Sequence, residues 1–265
     1  MISAIHQSSL GTMLRCGEQF RRRYIMGEII PPGVAMGRGT AVHKANEVNL
    51  KSKIRTGEDI PVDDMKDAAR DGFVAAFRNG VYLTKEDQPS KSRILNDALN
   101  ESLALTECYA EKVAPSIMPT NTERTFLIDI GLDLPLSGRI DAEQENGRKI
   151  DDLKTSTNKW PEGRILKEIQ PVFYSFAVER ETGARPTFTY HILRNLKGGP
   201  ESQVQSMTAT DQNYSALMYR IKVFLDSLRS GVFIPADPSS WICDPKWCGF
   251  HATCKFVGNG RKTWI

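Results

Sequence analysis

The chain has 265 residues and a formal net charge of +3, with 40% hydrophobic and 25% charged residues, the balance of an ordinary globular protein. No apolar run reaches the ~20 residues a membrane-spanning helix needs, and the opening MISAIHQSSLGTML lacks the charged-then-apolar pattern of a secretory signal. A cytoplasmic setting and no membrane partner are therefore expected, and there the five cysteines serve as metal ligands or free thiols sooner than as disulfides.

In chain order, Ser8 and Ser9 predict the cap of a helix running to about residue 27, before Gly27 and the Pro31-Pro32 break. Its Arg21-Arg22-Arg23 run, between Phe20 and Tyr24, reads either as a solvated helix face or as a phosphate contact. GRGTAVHKANEVNL opens a second helix, and apolar positions three and four apart predict further helices over 63–79 and 92–114. From about residue 122 the pattern alternates, with turn signals at Gly131, Pro135 and Asn146-Gly147, which predicts three strands. A helix over 165–182, a strand at PTFTYHIL, a weaker strand near 202–208 and a helix over 211–230 follow, ahead of a cysteine-rich tail. The expected division is a helical lobe (1–120), a mixed α/β core (121–235) and a cap (236–265), folding as one cooperative unit.

Gly138-Arg-Ile-Asp141 and Ile150-Asp-Asp152-Leu-Lys154 form the central motif. Asp152 and Lys154 lie two apart, so both project from one face of a strand while Leu153 points into the core. Asp141 is expected to close the preceding strand, and a hairpin at the Asn-Gly turn brings it opposite Asp152. Two converging carboxylates repel unless a divalent cation sits between them, and oxygen ligands suit Mg²⁺ or Mn²⁺. Such an ion polarises a phosphoryl oxygen and acidifies bound water, and a neighbouring ammonium stabilises the charge that develops. These are the parts of phosphodiester hydrolysis; a polar hairpin with solvent-facing acids is the bland alternative.

GRID…IDDLKT resembles the core of the PD-(D/E)XK nuclease superfamily, and specifically its RecB-like branch. Gly39-Thr-Ala-Val-His43 resembles the branch's glycine-then-histidine motif, and Gln170-Pro-Val-Phe-Tyr174 its QxxxY motif. The resemblance implies a restriction-endonuclease-like α/β fold, a mixed central sheet flanked by helices. It implies that His43, Asp141 and Asp152 hold Mg²⁺ or Mn²⁺, with the Leu153 carbonyl as a further ligand. It makes Lys154 the catalytic lysine, with Gln170 and Tyr174 lining the site against DNA. Asp151 is then a decoy or a supporting group, and Glu47 and Glu123 rank below these as groups near the ion.

Cys243, Cys248 and Cys254 crowd a short aromatic-bearing segment with little core to bury thiols. A four-ligand site needs a fourth group, from Cys16, Cys108 or His251. Ligand chemistry leaves structural zinc and an iron–sulfur cluster both open. CRISPR-associated and AddB-type nucleases of the RecB-like branch carry a [4Fe-4S] cluster on one early and three late cysteines. Resemblance to them implies a structural cluster on Cys16, Cys243, Cys248 and Cys254, with zinc as the alternative and Cys108 a buried free thiol. The spacing x4 between Cys243 and Cys248 departs from the usual CxxC.

The resulting expectation is a metal-dependent DNA exonuclease acting on single strands or duplex ends in recombination and repair. It would be phage or prokaryotic, in the host cytoplasm if phage-encoded, with a recombinase or single-strand-binding protein as partner. No GxxxxGK[ST] stretch supplies an ATP motor. The alternative is a catalytically inactive nucleic-acid-binding protein with a structural zinc or iron–sulfur site.

Overall fold

A computed structural model describes residues 2–257. Six strands form one mixed sheet: β1 (Ile5–His6), β2 (Asn121–Ile128), β3 (Leu136–Gln144), β4 (Lys149–Ser156), β5 (Thr187–Leu196) and β6 (Gly199–Thr208). Their order is β1-β3-β4-β5-β6, with β2 on the other edge of β3. The helices are α1 (Gln7–Arg15), α2 (Gly17–Phe20), α3 (Val34–Thr56), α4 (Val62–Ala76), α5 (Lys91–Lys112), α6 (Ile169–Thr182) and α7 (Asp211–Ser230). β4 and β5 run parallel and are joined through α6, whereas β3–β4 and β5–β6 are antiparallel. The expected mixed sheet flanked by helices is thus the architecture of the chain.

The helices sort by sheet face. Val42 and Leu50 of α3, Phe73 of α4 and Leu105 and Tyr109 of α5 pack on Leu153, Leu193 and Ala142. On the opposite face Phe173 of α6 and Phe224 of α7, with Leu10 and Phe20, pack on Ile150, Phe188 and Ile192. Each such large apolar side chain, once buried, stabilises the fold by roughly 1.5–3 kcal/mol. The DxK alternation is therefore read by two cores: Leu153 belongs to the α3–α5 side and Ile150 to the α6–α7 side.

Two expectations need correction. The helix predicted to run to residue 27 is broken at Cys16, which is extended (φ −160°, ψ 106°); it resumes as α2 and a π-helical turn over Arg21–Ile25. The chain turns there because Gly17 docks backbone to backbone on a distant segment. Its N–H donates to the Ile234 carbonyl at 2.7 Å, and a Cβ at this position would stand 2.6 Å from Ile234 N. The cap of α1 is His6, whose N–H donates to Ser9 Oγ at 3.1 Å.

Asp141 does not close its strand either, since β3 continues to Gln144. β3 and β4 pair only from Ala142↔Asp151 to Gln144↔Lys149. Further back, the same edge of β3 takes β1 at Leu136 and Ser137. Residues 138–141 between have no ladder partner on that edge, so β3 and β4 part like the arms of a fork. At the same point the alternation of β3 slips. Ile140 lies in one core and Ala142 in the other, although residues two apart share a face in a regular strand. Across from Asp141, β2 skips a pairing at Glu123, whose φ is 53°.

Residues 232–257 carry two short 3₁₀ turns, Trp241–Cys243 and His251–Thr253, and are tied to the helical side by the Tyr82 hydroxyl donating to the Pro245 carbonyl. Among the described residues no helix is long and apolar enough to cross a membrane.

Candidate active site

The acids meet where the fork opens. Leu153 would offer its N–H to β3 if the ladder continued; instead it donates to Asp141 Oδ2 at 3.4 Å. The same oxygen stands 3.0 Å from His43 Nδ1, delivered by the third turn of α3. That helix passes over β4 at Gly39, where a Cβ would stand 3.5 Å from Thr155 Oγ1, an ordinary contact. Asp152 is 2% exposed and receives Gln170 Nε2 on Oδ1 at 2.6 Å. Its Oδ2 stands 2.5 Å from Lys154 Nζ but outside hydrogen-bonding angles, and is a buried oxygen without a hydrogen bond. Lys154 Nζ also lies 5.2 Å from the centre of the Tyr190 ring, and the Tyr190 hydroxyl donates to Gln170 Oε1 at 3.1 Å.

Tyr174, four residues after Gln170, sits in the aromatic layer with Phe126, Phe173 and Phe188. Gly138 explains the glycine of GRID: a Cβ there would be 2.7 Å from Phe126 Cζ and 3.1 Å from Tyr174 Cε1. The fork thus brings together His43, Asp141, Asp152, Lys154 and Gln170, with Tyr174 packed behind them.

Electrostatics separates the two acids. Burial, opposed by Lys154 and reinforced by the Asp141 charge, pushes the Asp152 carboxyl up to about 6. Asp141 is held low by His43 and Lys154 against the effect of burial. His43 is raised, as the charge and hydrogen bond of Asp141 outweigh burial.

Sequence reasoning undervalued two groups. Glu123, ranked below the other acids, has a side chain 10% exposed and an Oε2 that stands 2.8 Å from Arg139 Nε. Burial and the charge of Asp141 raise its carboxyl. The left-handed backbone that aims it is a cost of about 1–3 kcal/mol with no sequence signature in a glutamate. Tyr190 aligns with Asp152 through the β4–β5 register, which the sequence does not display. Asp151 faces the other way and pairs with His191 Nε2 at 2.8 Å. Glu47 is engaged by Lys44 and Lys51 on the surface of α3. Arg21 and Arg22 are ion-paired to Glu18 and Glu28, which weakens the phosphate reading of the arginine run.

The cysteines converge elsewhere. Cys16, Cys243, Cys248 and Cys254 line one small cavity, together with Arg22 and Phe250. Cys16 Sγ accepts from the N–H groups of Gln19 and Ala236, each at 3.4 Å. Burial and the nearby thiols of Cys16, Cys248 and Cys254 push the Cys243 thiol up. Arg22 closes the cavity, its guanidinium 4.5 Å from the centre of the Phe250 ring and donating to the Phe250 carbonyl at 3.4 Å. Cys108 is buried in the α5 core, apart from this group. Among the described residues, however, no three His, Cys, Asp or Glu side chains stand at metal-ligating spacing. At the fork His43 and Lys154 lie directly on the carboxylates.

Comparison with known proteins gives the same fold. The crystal structure of a candidate exonuclease from Eubacterium rectale superposes with a TM-score of 0.55 at 13% identity, covering 91% of this chain and 87% of that one. That identity speaks for the fold alone. The structure of SSO0001 covers 96% of this chain and 87% of that one at 14% identity, with a TM-score of 0.45, too low to argue from. No curated protein matches the sequence. A family profile, the PD-(D/E)XK nuclease superfamily, matches residues 4–255, nearly the whole chain and all of the fork. The chain belongs to the PD-(D/E)XK nuclease superfamily.

Proposed function

We propose that the protein is a divalent-cation-dependent DNA exonuclease of the RecB-like branch, acting on single strands or duplex ends. The observation that carries the reading is the gathering of His43, Asp141, Asp152 and Lys154 at one opening of the sheet. The donor set fits Mg²⁺ or Mn²⁺: two carboxylates and an imidazole, one carboxylate oxygen buried without a hydrogen bond. His43, Asp141 and Asp152 would hold the ion, with the Leu153 carbonyl as a further oxygen. Bound there, such an ion supplies a polarised phosphoryl oxygen and a more acidic water.

The chain's own residues do the rest. Lys154, beside Asp152, places an ammonium where the phosphate gains negative charge. Gln170 fixes the orientation of Asp152 through Oδ1 and is itself held by the Tyr190 hydroxyl. Tyr174 packs against Gly138 and keeps α6 at the distance this requires. End-labelled single-stranded and duplex DNA, incubated with Mg²⁺, Mn²⁺ or EDTA, tests the proposal. Metal-dependent release of nucleotides from an end supports it; absence of cleavage from an anaerobically prepared sample with either metal overturns it.

The cysteine cavity we read as a structural metal site, a [4Fe-4S] cluster with zinc as the other outcome. Support comes from four cysteines on one cavity and from two backbone N–H groups pointing at Cys16 Sγ. Iron, sulfide and zinc analysis with the visible spectrum of the same sample decides between them. On this reading residues 1–120 and 121–235 fold with the cap, 236–265, of which 258–265 lie outside the described residues, since the site joins the first to the last. The cytoplasm, and a recombinase or single-strand-binding partner, complete the proposal.

A further inference from the structure

Arg139 lies two residues before Asp141 on β3, in the stretch 138–141 that has no ladder partner on the β4 edge. The pairings Thr122↔Ala142 and Arg124↔Ile140 set Glu123 across from Asp141, and Thr125 pairs with Arg139. Arg139 is thus the diagonal neighbour of Glu123, within reach of a long side chain. Its Nε stands 2.8 Å from Glu123 Oε2. The charges of Asp141, Glu47 and His43 also act on the Glu123 carboxyl, so this ion pair borders the acid site.

Stability does not account for the arrangement. Two acids facing each other across a ladder destabilise it, and the ladder is interrupted at this pair, where Glu123 takes a φ of 53°. A left-handed glutamate costs more than an ion pair to an exposed arginine returns. What the strained residue achieves is placement: it turns a nearly buried carboxylate onto Arg139 at the mouth of the fork.

Arg124, on the adjacent strand, shows what a structural arginine looks like here. It gives Nε and Nη2 to Glu143 at 2.6 and 2.7 Å and sets Nη1 2.9 Å from Glu181. Arg139 commits Nε alone; its side chain is 66% exposed, and among the described residues no second acid stands within ion-pair distance. Its two terminal nitrogens form a planar fork that matches two oxygens of a phosphate. Residues two apart on a strand are about 7 Å apart, and a stacked DNA strand advances about 3.4 Å per nucleotide. Arg139 is therefore within about two nucleotides of a phosphate held at Asp141.

We propose that Arg139 grips a backbone phosphate of the DNA strand next to the one being cut, and that Glu123 is the positioning residue that aims it. The proposal rests on the nuclease reading and names the group that sets the strand in register with the acids.

The test is a neutral-linkage scan. Single-stranded oligonucleotides, each with one methylphosphonate in place of a phosphate among the first five linkages from either end, are bound in EDTA and followed by fluorescence anisotropy. EDTA removes metal-mediated phosphate contacts and leaves those of side chains. One linkage is expected to weaken wild-type binding about 10-fold or more, as for a hydrogen bond to a charged group. Arg139→Ala should bind the intact strand that much more weakly and lose nothing further at that linkage. Its slope of log affinity against log salt should fall by about 0.7, one single-strand phosphate contact. Arg139→Lys, and Arg70→Ala on α4, should keep the wild-type slope. Glu123→Ala leaves the guanidinium charged, so it should keep the slope but spread the loss over adjacent linkages. A wild-type linkage profile in Arg139→Ala, or an equal fall of slope in Arg70→Ala, overturns the phosphate contact. An unspread profile in Glu123→Ala overturns the positioning role. Either failure in a protein that binds and cleaves intact strands leaves the nuclease reading standing, whereas a protein that neither binds nor cleaves DNA overturns both.

Discussion

The acidic fork and the cysteine cavity are both clusters of like groups, but they are held together in opposite ways. At the fork the side chains ride on strands and on the two helices α3 and α6, each anchored in its own core. At the cavity one thiol stands at a break between short helices and three hang from loops, tied down by Gly17, Arg22 and Tyr82. A site carried by the sheet keeps its geometry when a member is removed. A site carried by loops is itself part of what holds the loops.

The sharpest way to break that comparison is to remove one group from each. Asp141→Ala and Lys154→Ala are each expected to lower cleavage by at least about 10²–10³-fold. Melting temperature and visible absorption should stay near wild type. Cleavage at the wild-type rate would move the chemistry away from the fork. Cys16→Ala is expected to act on the fold first, with most of the protein insoluble or melting well below wild type. A soluble, coloured and active Cys16→Ala protein would show that the cavity is not a structural tie.

Smaller effects sharpen the contrast. Gly138→Ala forces a methyl against Phe126 and Tyr174, and overpacking of this kind costs about 1–3 kcal/mol. Denaturant unfolding should show that loss together with reduced cleavage, because Tyr174 and Gln170 share α6. A loss of stability with unchanged cleavage would separate the aromatic layer from the site.

The smallest effect is in pH. Asp152 titrates near 6 in the fold and near 3.9 when unfolded, so the folded state holds the extra proton between those values. Its contribution to stability is present below about pH 4 and declines as pH rises through 6. Metal-free protein should therefore lose part of its melting temperature over that window, and Mg²⁺ should restore more of it at pH 7 than at pH 5. An Asp152→Asn variant should lack the dependence; if it keeps the wild-type profile, another group is responsible.

Much of this was legible in the residues. Spacing of three and four marked α4 and α5, and alternation marked β2, β3 and β4, because the side chains of a strand alternate between its two faces. DxK spacing put Asp152 and Lys154 on one face for the same reason. What the residues did not display depends on partners distant in the chain. The break at Cys16 exists because Ile234 docks beside it. The slip of β3 at Asp141 exists because two cores compete for neighbouring residues. The two-residue β1 is too short for any periodicity, and the alignment of Tyr190 with Asp152 is a matter of register.

Behind Asp141 and Asp152, on the sheet surface away from Lys154, Asp151 bonds His191 at 2.8 Å and receives the Gln144 amide at 2.7 Å. Asp151 is also half of the last rung before β3 and β4 separate. That rung is the last tie behind the pair Asp141 and Asp152. A change at Gln144 or His191 would therefore reach the acid pair from the far side of the sheet, without altering either of its members.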